Sequence, residues 1–424
     1  MESKCALSTR PPRRARRPAL AVHARTLELY RQLDLTDFVI GHGHKVPAVH
    51  LWVKGESKAR ISFEEVASDL TPYSFLQIFP QDEHERLLIA GLNELGISVE
   101  RQTELLSYSD RGTHVIARLR RADGQEESCD AAYIAGCDCA HSIVRDTMGT
   151  GYPGGTYRQL FYVADVEASG PTLEGELHVD LDEADFVAVF PLAGKGRARL
   201  IGTVRDERAA HPDALKFDYL SSRIIENLKV KVEKVNWFST YHVHHRVTEH
   251  FRKGRAFLLG DAATADGKLA DIIRMRIVPI LAKFEAWREF MFRTVSQVTI
   301  NYRHSYLSEG QAGKVHGGDC LPWVVADGTN NYDPLVTMAW QVHAYGTASP
   351  ELMTWCKEHD LPLHVFPWRP EHGEAGLLQH ALYLVRPDTY VALADRSGTT
   401  DVLQHYFDAR GIRNEPSGKL RFAS

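Results

Sequence analysis

The stretch GRAFLLGDAA, Gly254 to Ala263, decides the reading of this chain. Ala256, Phe257, Leu258 and Leu259 form a short apolar run between turn residues, which reads as a buried strand. Gly260 then allows a close backbone approach. Asp261 falls at the carboxyl end of that strand, where α/β folds bind ligands. A carboxylate there can accept hydrogen bonds from sugar or ribityl hydroxyls, or it can cap the next helix. The residues alone leave both readings open.

Working outward, AAYIAGCDCAHSIVR (Ala131–Arg145) has the same form. A strand ends at Gly136, Asp138 follows in a tight loop, and Ser142 to Arg145 open a helix. In FPQDEHERLL (Phe79–Leu88), Gln81 precedes a helix that Asp82 can cap, with Glu85 at N3. Leu88, Leu92 and Leu95 share a face of that helix, and Gly96 ends it. Further upstream, Leu27, Tyr30 and Leu33 repeat at helical spacing between Ala24 and Leu35. Residues 97–136 read as strands with a hairpin, and 157–248 as mostly strands, with a helix near Asp218–Val232. A helical stretch runs from Asp271 to about Arg293, with Pro279 as a kink. Residues 311–334 are rich in Gly, Asp and Asn and read as a linker. Beyond them come a strand near Met338–Ala344, a helix capped by Ser349 with Pro350 at its first position, the strand PLHVFPW, a hairpin around RPDT and a last helix from Thr400.

One literal GxGxxG exists, Gly149, Gly151 and Gly154 in GTGYPG. It follows a helical stretch, contains Pro153 and leads into a strand, so it lacks the strand–turn–helix setting that cradles a pyrophosphate and reads as a loop. His242, His244, His245 and His250 cluster around a strand without a matching carboxylate or thiol, so no metal site is expected. No G-x-S-x-G elbow is present.

The composition fits these readings. The chain has 424 residues, 44% hydrophobic and 25% charged, with a net charge of −5. That length suggests two to three domains. The acidic balance argues against a nucleic-acid partner, and the run Arg13–Arg17 reads as a solvated loop. No segment approaches the ~18 apolar residues of a membrane span. The six cysteines form no CxxC pair. They read as reduced thiols, and with no secretory signal at the N-terminus a cytoplasmic location is expected.

Together and in this order, the segments resemble the flavoprotein aromatic hydroxylases. These are single-component FAD-dependent monooxygenases with the p-hydroxybenzoate hydroxylase fold. The similarity is greatest to the phenol, hydroxyphenylpropionate and polyketide hydroxylases that carry a C-terminal thioredoxin-like domain. RTLELYRQLDL resembles the helix after the family's second strand, Gln81 and Glu85 its Q-x-x-x-E pair, GCDCAHSIVR its D-G motif and GRAFLLGDAA its G-D motif. TVSQVTINYRHSYLSEG, GGDCLPWV and LVRPDTYVAL resemble its downstream segments. The resemblance implies an α/β (mixed α+β) fold: an incomplete, discontinuous FAD-binding Rossmann-like domain (1–156 and 249–310), a β-sheet substrate domain (157–248), the 311–334 linker and a thioredoxin-like domain (335–424). It also implies FAD as cofactor, NAD(P)H as co-substrate and hydroxylation of a small phenolic ring through a flavin hydroperoxide. Gly260, Asp261, Gln81, Asp138 and Arg25 carry over as cofactor-binding residues, and Arg246 matches a family arginine. No catalytic residue is assigned. The C-terminal domain, with only Cys356 on its helix, is expected to act structurally or in a homodimer contact.

The sequence also departs from the family. The strand–GxGxxG–helix unit of ~30 residues is missing, Pro18 stands where the family has arginine, and Cys139 replaces the glycine of the D-G motif. The G-D motif continues as Thr264 to Lys268 instead of a GGQGMN-type loop. The expectation is a chain truncated at its start and internally deleted. The alternative to a monooxygenase is a non-catalytic remnant, or a binding or dimerisation module that no longer holds FAD.

Overall fold

The computed structural model describes residues 7–8, 21–138, 141–181, 186–204, 215–217, 222–265, 292, 296–415 and 419–422. The first expected helix forms over Ala24–Arg31 (α1), where Ala24 and Leu27 are buried. A turn separates it from a second helix, Thr36–His42. After the short helix Phe63–Ala67, a helix spans Gln81–Glu94 (α2) and begins at Gln81, after Pro80, so Asp82 lies in the first turn and does not cap it. Asp82 instead accepts a hydrogen bond from Arg86, one turn on, at 2.8 Å. None of the α2 residues is buried, and Leu95 is 76% exposed, so the expected apolar face is not core. Gly96 ends the helix with φ +74°, a left-handed conformation that favours glycine.

The chain divides into two compact units. The first comprises Met1–Leu20, His50–Ala59 and Phe79–Ile280. In it, Ile134–Gly136 (β1) is followed by the short helix Ile143–Met148 (α3). The long strand Gly154–Ser169 (β2) then leads to Leu177–Leu181 (β3), Phe186–Pro191 (β4), Arg197–Val204 (β5) and Lys231–Val247 (β6). These form most of an eight-stranded sheet in the order Thr264–Ala265, β6, β2, β5, β4, β3, Ala48–Val53, Glu56–Ser62. Leu160, Tyr162, Ala164, Val166 and Ala168 alternate along β2 onto one face and pack with Val187, Val189 and Leu200 against Ile225 and Leu228. The helix expected at 218–232 is shorter, Ser222–Asn227, because β6 takes the chain from Lys231 into antiparallel pairing with β2.

On the opposite face, Asp165 and Arg199 are cross-strand partners. Both are buried, and two bonds join them, Nε to Oδ1 at 2.6 Å and Nη2 to Oδ2 at 3.0 Å. The last strand needed here is Ala256–Leu258 (β7), the expected apolar strand.

The second unit comprises Ala21–Val49, Arg60–Ile78 and Leu281–Ser424. Its main sheet contains Glu309–Ala312 (β8), Gln341–Tyr345 (β9), Leu363–Phe366 (β10), Leu382–Val385 (β11) and Val391–Asp395 (β12). The order is Val315–His316, β8, β12, β11, β9, β10. The parallel β9–β10 pair needs a crossover, which Pro350–Glu358 (α4) supplies. Ser349 caps α4 by accepting from the Leu352 amide at 3.1 Å. Leu352 and Cys356 of α4 pack with Leu403, Tyr406 and Phe407 of the last helix, Thr400–Arg410 (α5).

Residues 311–334 do not form the expected linker. They carry strand residues of this sheet and bury Ala312, Val315, Leu321, Val324 and Tyr332 in its core. Their glycines and polar residues serve tight turns between buried side chains. The helix expected over 271–293 falls almost wholly outside the described residues, as does Cys139.

Candidate functional site

The two motif strands lie side by side. β1 pairs with β7 in parallel, with Ile134 opposite Ala256 and Gly136 opposite Leu258. The Leu259 amide donates to the Gly136 carbonyl at 2.9 Å. The loops that begin at Cys137 and Gly260 therefore leave the sheet at the same, carboxyl, end, the position where parallel sheets form ligand crevices.

Each loop has a local physical cause. A Cβ on Gly136 would lie 2.7 Å from the Val144 Cβ and 3.1 Å from Leu258 Cδ2, so only glycine lets α3 pack this closely on β1. Asp138 is exposed, and its Oδ2 accepts from the Ile143 amide at 2.7 Å. Ser142 accepts from the Arg145 amide at 3.1 Å, so both side chains serve the start of α3. In the other loop, Gly260–Ala262 is one turn of 3-10 helix with Asp261 at its centre. Gly260 has φ +56°, and a Cβ there would meet nothing within 4 Å. The segment after the turn, Thr264–Ala265, is a strand paired with Arg246 and Val247, so Asp261 does not precede a helix as the capping alternative requires.

The reading of the residues did not single out Arg145 as a link between these loops. Its buried guanidinium donates from Nη1 to the Ala262 carbonyl at 3.2 Å and lies 4.0 Å over the Tyr152 ring. The available signal was its place at the end of the D-G motif. Arg246 also lies near Tyr152, donating to its carbonyl at 3.4 Å.

The other expected residues stand in different settings. Gln81 donates from Nε2 to Glu85 Oε1 at 3.1 Å, so the Q-x-x-x-E pair is joined within α2. Arg25 is buried in the second unit, with Nη1 bonded to Glu28 at 2.9 Å and Nη2 to the Asp388 carbonyl at 2.6 Å. Burial pushes the Glu28 carboxyl above its usual range, while Arg25 and a 2.7 Å bond from Thr71 oppose the shift.

The GxGxxG match is a loop. Gly149 ends α3 with φ +66°, and Gly154 opens β2, where a Cβ would sit 2.0 Å from the His245 carbonyl. Of the clustered histidines, His244 bonds Thr156 at 2.8 Å and His245 packs on Tyr157. Among the described residues no three His, Cys, Asp or Glu side chains gather as metal ligands. Burial pushes the Cys356 thiol up to about 12, far from the range of a reactive thiolate. No helix among the described residues is long and apolar enough to cross a membrane.

A glycine with free space around its left-handed backbone, beside a second loop that carries a carboxylate, fits the hydroxyl and phosphate groups of a dinucleotide. Residues 8–265 match the family described as FAD binding domain, and the chain belongs to that family. Over 248 residues it is 31% identical to a 6-methylpretetramide 4-monooxygenase of Streptomyces rimosus, covering 58% of this chain and 44% of that protein. It is 24% identical over 435 residues to a flavin-dependent monooxygenase of Mycobacteroides abscessus, covering 89% and 88%. The chain spans about half the length of most of the curated relatives it matches.

The fold is that of FAD-dependent hydroxylases. The flavin-dependent monooxygenase PieE, solved in complex with FAD and substrate, superposes with a TM-score of 0.70 at 16% identity, covering 95% of this chain and 92% of that one. Aklavinone-11 hydroxylase, solved with FAD and aklavinone, gives 0.69 at 19%, covering 95% and 93%.

Proposed function

We propose that this chain is an FAD-dependent aromatic hydroxylase that uses NAD(P)H and dioxygen to hydroxylate a small aromatic, phenolic substrate. The observation that carries this reading is the parallel pairing of β1 with β7, which places the Asp138 and Asp261 loops at one edge. Gly260 and Asp261 would hold the ribityl–pyrophosphate region, with Asp138 in the adjoining loop and Gln81 near the flavin ring. When bound, FAD supplies the two-electron chemistry that passes reducing equivalents from NAD(P)H to dioxygen and delivers one oxygen atom to the ring. The chain's own part is to orient: Arg145 keeps the Gly260–Ala262 turn against α3, and the eight-stranded sheet offers the substrate a rigid wall. The 335–424 region is read as a thioredoxin-like unit with a structural or dimer-forming role, in a cytoplasmic homodimer.

The test is a titration of the purified chain with FAD, followed by NAD(P)H oxidation with and without phenols. Stoichiometric FAD binding and phenol-stimulated oxidation are expected. A protein that stays colourless in excess FAD overturns the reading and leaves the non-catalytic binding module in its place. Sedimentation reads the dimer.

A further inference from the structure

We propose that α1 is the joint through which the C-terminal unit holds a piece of the FAD binding domain, and that Arg25 is the central residue of this joint and not a cofactor ligand. The family match covers residues 8–265, yet Ala21–Val49 packs in one compact unit with Leu281–Ser424. The contacts that hold it there reach two places, the turn Arg386–Thr389 between β11 and β12 and the segment Asp333–Leu335.

Arg25 donates from Nη2 to the Asp388 carbonyl at 2.6 Å, and its guanidinium lies 4.9 Å over the Tyr390 ring. Gln32, two turns along, donates from Nε2 to the Pro387 carbonyl at 2.9 Å and to the Leu335 carbonyl at 2.7 Å. Arg31 pairs with Asp333. Three polar side chains of α1 and its end therefore reach backbone carbonyls or a carboxylate of the C-terminal unit. Two stretches far apart in sequence, RTLELYRQLDL and LVRPDTYVAL, are halves of one contact.

The chemistry favours a joint over a cofactor contact. Arg25 is 5% exposed and Glu28 equally so, and the pair is bonded, so it presents no net charge to a pyrophosphate. The turn itself needs outside support. Thr389 has φ +68°, a conformation that a β-branched residue adopts only when its surroundings fix it. Arg386 clamps the turn from within, donating to Asp388 Oδ1 at 3.0 Å, and that leaves the Asp388 carbonyl for Arg25. Arg25 and Arg386 flank Tyr390, at 4.9 and 5.4 Å from its ring centre.

Amide hydrogen exchange on the full-length chain tests this. Parent, Arg25→Met with Glu28→Gln, Gln32→Ala and Arg25→Lys are compared, and each is titrated with FAD. The double variant removes both buried charges so that neither is left unpaired, and Gln32→Ala leaves the ion pair intact. Roughly tenfold faster exchange is expected in the double variant both in α1 and at residues 386–390, with a smaller change at the same two places in Gln32→Ala. The Arg25→Lys chain is expected to bind FAD within about twofold of the parent, a difference below the resolution of a coupling argument. Faster exchange confined to α1, or unchanged exchange in both variants, overturns the joint. So does Arg25→Lys weakening FAD about tenfold with exchange at 386–390 unchanged, since that is the signature of a lost cofactor contact. A parent chain that binds no FAD counts against the proposed function, while the exchange comparison still decides the joint.

Discussion

Arg145 and Ala262 are 117 residues apart in sequence, and a hydrogen bond of 3.2 Å joins them. The side chain belongs to the helix that follows one motif loop, and the carbonyl belongs to the turn that forms the other. The two loops of the candidate site are thus held to each other as well as by the β1–β7 pairing beneath them.

Arg145→Met is expected to lower stability by about 1.5–3 kcal/mol, the usual cost of losing a buried bond to a charged donor. FAD affinity should fall with it, because the Gly260–Ala262 turn loses its tether. Arg145→Lys should recover part of both. Urea unfolding and FAD titration of the three proteins check this; equal FAD affinity in all three would show that the turn holds its shape unaided.

Gly136 and Gly260 should respond differently to alanine. At Gly136 the added methyl meets Val144 and Leu258, so Gly136→Ala is expected to cost about 1–3 kcal/mol by overpacking. At Gly260 the space is open and only the left-handed backbone resists, for about 1–2 kcal/mol. The sharper contrast is in binding. Gly260→Ala places its methyl in the crevice and should weaken FAD more than Gly136→Ala does, at similar thermal stability.

The Asp165–Arg199 pair lies between neighbouring strands with almost no exposure. Arg199→Met alone leaves a buried carboxylate and should cost about 3–5 kcal/mol. Joining it with Asp165→Val should restore most of that loss, because both desolvation penalties disappear together. Chemical denaturation of the single and double variants measures the difference. A double variant as unstable as the single one would mean the pair does more than satisfy itself.

His178 gives the first unit a dependence on pH. It is buried, stacked on His50 and accepts the Trp52 indole N–H at 3.0 Å through Nδ1. Burial first, and then the neighbouring His50, lower it from 6.5 to about 4. The unfolded chain therefore binds a proton between those values that the folded chain refuses. Stability is unaffected above the unfolded value, falls as pH drops through that window, and levels off below the folded value, for a total on the order of 3 kcal/mol. His178→Gln keeps an acceptor for Trp52 and removes the titration, so its stability should vary less between pH 7 and 4. Parallel stability curves for the two proteins would exclude His178 as the source.

Much of the site was legible because its motifs are local. A four-residue apolar run before Gly-Asp, and a strand ending at Gly136 before Asp138, specify strand and turn through short-range preferences. So do the Ser349 cap with Pro350 behind it and the RPDT turn. What failed depended on distant partners. Gln81 begins α2 two residues earlier than the capping pattern of Asp82 suggested. Lys231 belongs to a strand and not a helix because β2 was waiting for it. Residues 311–334 have the composition of a linker, and nothing local reveals that Ala312, Val315 and Leu321 close a core with β11 and β12. Arg25 carries over by resemblance as a cofactor-binding residue, and its bond to the distant Asp388 carbonyl leaves no mark in sequence.

The contact between Arg25 and Asp388 spans 363 residues. A ribosome adding about 5–20 residues per second makes α1 wait roughly 20–70 s before its partner turn exists. Over that interval the Arg25 guanidinium lacks the Asp388 carbonyl that receives it. Growth temperature, codon usage and chaperone supply therefore bear on the yield of this chain through α1.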